Sequence, residues 1–351
     1  MKITKQRIND FLFLLGIVAV IIMIFTFDVD FRELWRMILK AGYWMIPILA
    51  VWILIYFVNA LAWREILKHN LEPDEHVSLW RIFRLTISGY ALNNTTPMGG
   101  LGGEPYRIIE LTKDTSKAHA TSSVILYSMM HIYSHFWFWF TSIFLYIGLV
   151  LAGDHLPMNW GIGFALVLLT LFCIVGFYFF SIGYRRGLTV KVIGWIGKIP
   201  GLKKWSRNFL ERHMDTLKKV DLQIAALHSQ NSRAFYRSLL LEYVARLMLG
   251  FEVMFMLILF GKDEGGGFSG YTLLFLHCVL VEAITSWCAN IIGFLPLQLG
   301  VQEFGYAVSA NALGLTGEIG IFVSIIARVR QIIWGAIGVA LMKVRYKGKY
   351  E

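Results

Sequence analysis

Two breaks in an otherwise hydrophobic chain, the first of them glycine-rich, carry the residue types best suited to hold an anion. The first runs Asn93-Asn94-Thr95-Thr96-Pro97-Met98-Gly99-Gly100-Leu101-Gly102-Gly103-Glu104-Pro105-Tyr106-Arg107. Proline lacks an amide donor and glycine accepts unusual backbone angles, so Pro97 to Gly103 can end one helix and let another start at Glu104-Pro105. Pro105 suits a first helical turn, where free N–H groups and the positive end of the helix dipole favour an anion such as a phosphate. Arg107, in the same turn, adds charge-assisted hydrogen bonds. The second break, Pro296-Leu297-Gln298-Leu299-Gly300-Val301-Gln302-Glu303, starts 199 residues after Pro97 and again sets a glutamate seven positions beyond a proline.

The plain alternative is a surface loop in which Asn94 or Thr95 caps a helix and Glu104 complements its dipole. The second copy argues against it. An ionisable group at mid-depth in a bilayer costs at least about 2.5 kcal/mol, so two glutamates in apolar settings point to one shared site. The expected substrate-binding set is Asn94, Pro97, Gly100, Glu104 and Arg107 from the first break, with Pro296, Gly300 and Glu303 from the second. Arg328, which has no acidic residue near it in sequence, is expected as a second anion contact. The same predicted helix carries Arg330 and Gln331, while Glu282 stands alone on another. Glu242 and Arg246 stand four apart, with Glu252 further along, and are expected to neutralise one another locally.

Other constellations point to less. His131 and His135 share a helical face, but no third metal ligand stands at useful spacing, and Tyr133, Trp137 and Trp139 around them suggest an aromatic helix that packs or lines a lipid path. Asp28-Val29-Asp30 matches a short metal-binding pattern, yet Asp30 is placed to cap the amphipathic run that follows it. No phosphate-binding loop, dinucleotide fingerprint, serine-nucleophile elbow or HExxH stretch is present, so no catalytic residue, metal ligand or cofactor is expected.

Positioning these residues falls to helices within a membrane. Hydrophobic residues make up 57% and charged residues 16% of 351, and the mean hydropathy is +0.59. That composition excludes an ordinary soluble domain, and apolar stretches of about 20 residues require an all-α, polytopic helical membrane protein, because backbone groups in lipid must be satisfied internally. About 6–8 transmembrane segments are expected, with broken or re-entrant helices and an inverted repeat. The net charge of +10 sits mainly in loops and tails beside apolar segments, which follows the positive-inside rule and not a nucleic-acid surface. Cys173, Cys278 and Cys288 all fall in apolar segments and read as packing residues.

In chain order, Phe11 to Phe27 is a retained first crossing, and Phe31 to Lys40 an interfacial helix. Crossings follow at Tyr43–Ala62, Ala120–Ala152, Gly161–Ile182, Leu239–Phe260 and Ile319–Met342. The whole chain, 1–351, reads as a single integral membrane domain, with excursions at 79–117 and 271–318. The segment 183–237 holds twelve basic and three acidic residues and is expected in the cytoplasm. Its Leu210, Met214, Leu217, Ile224 and Leu227 recur at helical spacing, which predicts a surface helix beside anionic headgroups. Both termini are expected in the cytoplasm. The first break is then approached from the cytoplasm and the second from outside, as in an inverted repeat.

These residues resemble a known family. Asn94-Thr95-Thr96-Pro97, Glu104-Pro105-Tyr106-Arg107, Leu295-Pro296 with Gly300 and Glu303, and Arg328 before Ile332-Ile333-Trp334-Gly335 are similar to the flippase-like family, the transmembrane region of lysylphosphatidylglycerol synthases. The second copy departs from the family pattern at Gln298-Leu299 and Gln302. The resemblance implies a lipid translocase that moves a phospholipid or isoprenoid-linked lipid between leaflets of a bacterial-type inner membrane. The implied partners are a lipid with a phosphate-bearing headgroup and anionic lipids at the cytoplasmic face, in a chain that could form a homo-oligomer. The chain runs only nine residues past Met342, so lysyl transfer is not expected. Alternative readings are a membrane-embedded transferase acting on a lipid-linked sugar or phosphate, and a non-catalytic partner of an envelope-building enzyme. A transporter is favoured over an enzyme, since no sizeable donor-binding domain is visible.

Overall fold

The computed structural model describes residues 39, 42–68, 75–95, 102–186, 189–198, 203–230, 232–259, 267–291, 301–312 and 317–344. The expected first crossing, the Asp28-Val29-Asp30 stretch, Pro97, Gly100, Pro296 and Gly300 lie outside them. All the longer elements among the described residues are helices. They are α1 (Met45–Lys68), α2 (Leu79–Thr95), α3 (Gly103–Leu111), α4 (Lys117–Leu151), α5 (Trp160–Arg186), α6 (Thr189–Ile196), α7 (Lys203–Gln230), α8 (Ser232–Leu259), α9 (Phe268–Ile291), α10 (Val301–Ala312) and α11 (Gly317–Met342).

Five stretches among the described residues are long and apolar enough to cross a bilayer: Gly42–Lys68, Lys117–Leu151, Trp160–Gly183, Phe268–Asn290 and Phe322–Met342. From the sequence a crossing is expected within α8 as well. Its 28 residues span about 42 Å at the helical rise of 1.5 Å per residue, but Glu242, Arg246 and Glu252 lower its apolar character. All three of those side chains are buried in the bundle, so α8 keeps its charges away from lipid. The sequence-predicted surface helix is α7, which packs along α4, α5, α6 and α8 with Leu217 buried.

The bundle has two apolar centres, one toward each end. One joins Ala60 to Leu67 of α1, Ala120 to Met130 of α4, Phe180 of α5 and Ala234-Phe235 of α8, with Tyr106 of α3. The other joins Met45 and Ile48 of α1, Val253 to Leu257 of α8, Leu274 to Val281 of α9 and Phe322 to Val329 of α11, with Tyr306 of α10. α1 and α8 therefore run antiparallel. Contacts at both ends agree, with the Trp52 indole donating to Glu252 near one end and Arg237 standing 4.0 Å from Glu65 near the other.

The two broken segments sit at opposite ends of this antiparallel pair. α3 joins the first apolar centre and α10 the second. Exchanging α1 to α4 for α8 to α11 also preserves the neighbours: α2 packs on α11 as α9 packs on α4, and α3 bridges α2 and α4 as α10 bridges α9 and α11. That is the packing an inverted repeat requires.

The first break is held by close backbone contact. A Cβ at Gly103 would stand 2.1 Å from the Gly89 carbonyl oxygen, and one at Gly89 would stand 2.1 Å from Arg107 Nε. Only hydrogen fits between α2 and α3 here. Beyond the glycines, Arg81 of α2 donates to Glu110 at 2.8 Å and to Asp114 at 3.2 Å, all three side chains being buried. Burial alone would raise the Glu110 carboxyl, but Arg81 and Lys113 outweigh it and hold the group below its ordinary value. Arg84 reaches the Val344 carbonyl at 2.8 Å and ties α2 to the end of α11.

Gly103→Ala is expected to lower stability by about 1–3 kcal/mol, the usual cost of overpacking. Gly163→Ala, at an open position on α5, should be neutral or stabilising. Thermal unfolding of both variants in detergent checks the contrast.

Candidate functional site

A cavity of about 320 Å³ lies between the two apolar centres. α1, α2, α3, α4, α8, α9, α10 and α11 all contribute to its wall, so both halves of the chain meet there. Among the described lining residues are four glutamates, Glu104, Glu242, Glu252 and Glu282, and three arginines, Arg107, Arg246 and Arg330. His131 and His135 lie between them along α4.

The α3 end is organised by Asn93. Its Oδ1 accepts from the Gly103 amide, and its Nδ2 donates to Glu104 Oε1 at 3.2 Å. The helix is therefore capped from α2 by Asn93 and not by Asn94 or Thr95, the caps of the surface-loop alternative. One of the amides expected to face an anion is thereby used. Arg107 donates to Glu104 Oε1 at 3.2 Å and to the Thr86 carbonyl at 3.2 Å, and it lies among the rings of Trp63, Tyr90 and Tyr127 at 5.0–5.7 Å. Its charge reaches the cavity, but its geometry is fixed by α2 and three aromatic faces. Glu104 Oε2 is buried and has no partner among the described residues. Asn94, exposed at the end of α2, also lines the cavity.

The α11 end carries a second carboxylate–guanidinium–indole unit. Arg330 Nε donates to Glu252 Oε1 at 2.8 Å, the Trp52 indole donates to Glu252 Oε2 at 2.7 Å, and the guanidinium stacks 4.0 Å over the Trp52 ring. Arg328, the expected second contact, is buried on the same helix and is not among the described lining residues, whereas Arg330 and Gln331 are. Two residues are about 200° of helical rotation, which is why only one of these arginines reaches the cavity. The backbone of Glu303 lies in α10, but its side chain is outside the described ones, so its meeting with Glu104 is not on view. Tyr306, three residues on, does reach the site and donates to Glu282 at 3.3 Å.

Between the two ends, Glu242 and Arg246 oppose one another in charge as their spacing suggested, but their hydrogen bonds run across to α4. Glu242 Oε2 meets His131 Nδ1 at 2.7 Å on α4. Arg246 donates to Ser134 Oγ at 2.6 Å and to the His131 carbonyl at 2.6 Å, and its Nη1 stands 2.7 Å from His135 Nε2. The histidines thus hold α8 to α4. Among the described residues no group of three or more His, Cys, Asp or Glu side chains is placed to hold a metal.

The site is richer than the sequence reading allowed. Glu242, Arg246, Glu252, Glu282 and Arg330 had one signal pointing to them, their ionisable character inside apolar helices. A buried ion pair loses about 3–5 kcal/mol when one partner is removed. Glu252→Gln and Arg330→Gln should each destabilise by that amount, and the double substitution should cost less than their sum. Melting temperatures of the two single variants and the double variant measure the coupling.

Comparison with known proteins agrees with this architecture. The family described as the lysylphosphatidylglycerol synthase TM region matches residues 13–338, a stretch that includes both breaks and every charged residue of the cavity. No curated protein and no solved structure matches the chain. The chain belongs to the lysylphosphatidylglycerol synthase TM-region family, a family of membrane proteins tied to lipid chemistry.

Proposed function

We propose that this protein moves a lipid with a phosphate-bearing headgroup between the two leaflets, with the headgroup in the central cavity and the acyl chains left in the surrounding hydrocarbon. One observation carries the reading. Three guanidinium groups from three helices converge on one cavity inside an apolar bundle, where each charge has a desolvation cost.

The cavity volume of about 320 Å³ suits a headgroup and not a whole lipid. Arginine is the side chain best matched to phosphate oxygens, through its fixed fork of donors. Arg246 has the most to offer, because the acceptors it holds are neutral: a hydroxyl, a carbonyl and an imidazole. Arg330 and Arg107 each share a glutamate and add positive charge toward opposite ends of the cavity. In this reading Arg246 and Arg330 take the role expected from sequence for Arg328.

The test is a leaflet-exchange assay with purified protein in liposomes that contain a fluorescent phospholipid, quenched from outside. The wild-type protein should let the quencher reach probe from the inner leaflet. Arg246→Gln and Arg330→Gln should slow exchange at least about tenfold, equivalent to ~1.4 kcal/mol. Arg207→Gln, exposed on α7, should leave it unchanged. Equal rates in liposomes with and without protein would overturn the proposal, as would normal rates in both cavity variants.

A further inference from the structure

The middle of the cavity holds a pair that phosphate binding does not use. His131 Nδ1 stands 2.7 Å from Glu242 Oε2 and 2.9 Å from the Tyr90 hydroxyl. Glu242 is fully buried, and its second oxygen, Oε1, has no hydrogen-bond partner among the described residues. The imidazole itself is partly open and borders the cavity.

A nitrogen and a carboxylate oxygen at 2.7 Å need a proton between them. Two arrangements with a neutral ring satisfy this. In the first, Nδ1 carries the hydrogen and donates to the Glu242 carboxylate. In the second, Glu242 is a neutral acid that donates to Nδ1, and the ring hydrogen is on Nε2. The second holds one more proton than the first. It forms when a proton from the cavity binds Nε2 and the Nδ1 proton passes to Oε2, so the ring starts and ends neutral while Glu242 loses its charge.

The surroundings decide what that change does. The titratable and charged groups facing the pair are Tyr90 on α2, Glu104 and Arg107 on α3, Tyr127 and His135 on α4, Arg246 and Glu252 on α8, Glu282 on α9, Tyr306 on α10, and Arg330 on α11. α1 contributes neutral Asn59, which reaches the Tyr90 hydroxyl at 3.4 Å. Arg107 keeps Glu104 as partner, and Arg330 keeps Glu252. Arg246 bonds only to neutral acceptors, and the nearest carboxylate on its own helix face is Glu242, one turn away. Loading the proton therefore leaves Arg246 without that opposing charge and makes the centre of the cavity one unit more positive.

We propose that His131 and Glu242 form a proton-loading site that couples proton binding to capture of a phosphodiester headgroup at Arg246. The proposal rests on the phosphate-binding reading above and adds its coupling ion. By linkage, the proton must raise affinity for the anion by the same factor that the anion raises affinity for the proton.

The experiment is calorimetric titration of the purified protein with dihexanoyl phosphatidylglycerol and, separately, with dimethyl phosphate. Both diesters keep one negative charge between pH 6 and pH 8. Wild-type protein should bind the lipid at least about tenfold more tightly at pH 6 than at pH 8. Titration in buffers of different ionisation enthalpy should show proton uptake on binding at pH 8. Glu242→Gln, which imitates the loaded carboxyl, should bind at pH 8 as tightly as wild type does at pH 6, with no proton uptake. The buffer comparison needs only wild-type protein, so it stands even if the variant fails to fold. Binding that does not change with pH and takes up no proton would overturn the coupling and leave phosphate binding intact. Dimethyl phosphate bound as tightly as the lipid, with proton uptake, would support the coupling but assign it to a free anion. Absence of binding by either diester at both pH values would overturn both readings.

Discussion

Placing ions in a hydrocarbon bundle sets the terms for everything else in this structure. A carboxylate or guanidinium out of water costs several kcal/mol unless it finds a partner and its remaining hydrogen bonds. Several charged groups around the cavity meet that cost across helices. Arg330 and Glu252 join α11 to α8, His131 and Glu242 join α4 to α8, and Arg107 is gripped by α2 carbonyls and three aromatic rings. The polar core thus fixes the register of helices whose outer faces are apolar, such as α5 with its exposed Phe164, Leu168, Phe172 and Tyr178. Lipid can solvate those faces, but it cannot solvate the charges, so specificity of assembly and the functional site come from the same contacts.

The same constraint explains the two broken segments. A short helix that stops within a bundle leaves unsatisfied amides, which are tolerated only where protein or a cavity receives them. Asn93 receives one at α3, and the close contact of Gly89 with Gly103 brings Arg107 under the aromatic cluster. α10 sits in the matching position at the other end and delivers Tyr306 to Glu282. The antiparallel pairing of α1 with α8 turns two similar segments toward one cavity from opposite sides.

Much of the scaffold was legible in the chain because its signals are local. The apolar stretch Ala120 to Ala152 is α4 within three residues at each end, and Gly161 to Ile182 lies inside α5. The first break was also readable, since α2 ends at Thr95 and α3 begins at Gly103, on either side of Pro97 and its glycines. Partnership was harder. Glu242 and Arg246 stand one turn apart and look like a pair, yet their hydrogen bonds run to residues 111 to 115 positions earlier. Arg328 and Arg330 both lack a local acid, and only helix phase relative to α8 distinguishes them. Such phase is a property of packing between distant segments, which periodicity in one segment does not contain.

The central claim is that this cavity holds the phosphate of a membrane lipid at mid-depth. A cryo-EM reconstruction of the protein in phospholipid nanodiscs, at a resolution that separates headgroup from acyl density, tests it most directly. The account predicts phosphate density within hydrogen-bonding distance of Arg246, Arg330 or both, with chain density leaving the cavity between helices. Lipid phosphates found only at the two bilayer surfaces, with the cavity filled by water alone under several lipid compositions, would contradict it.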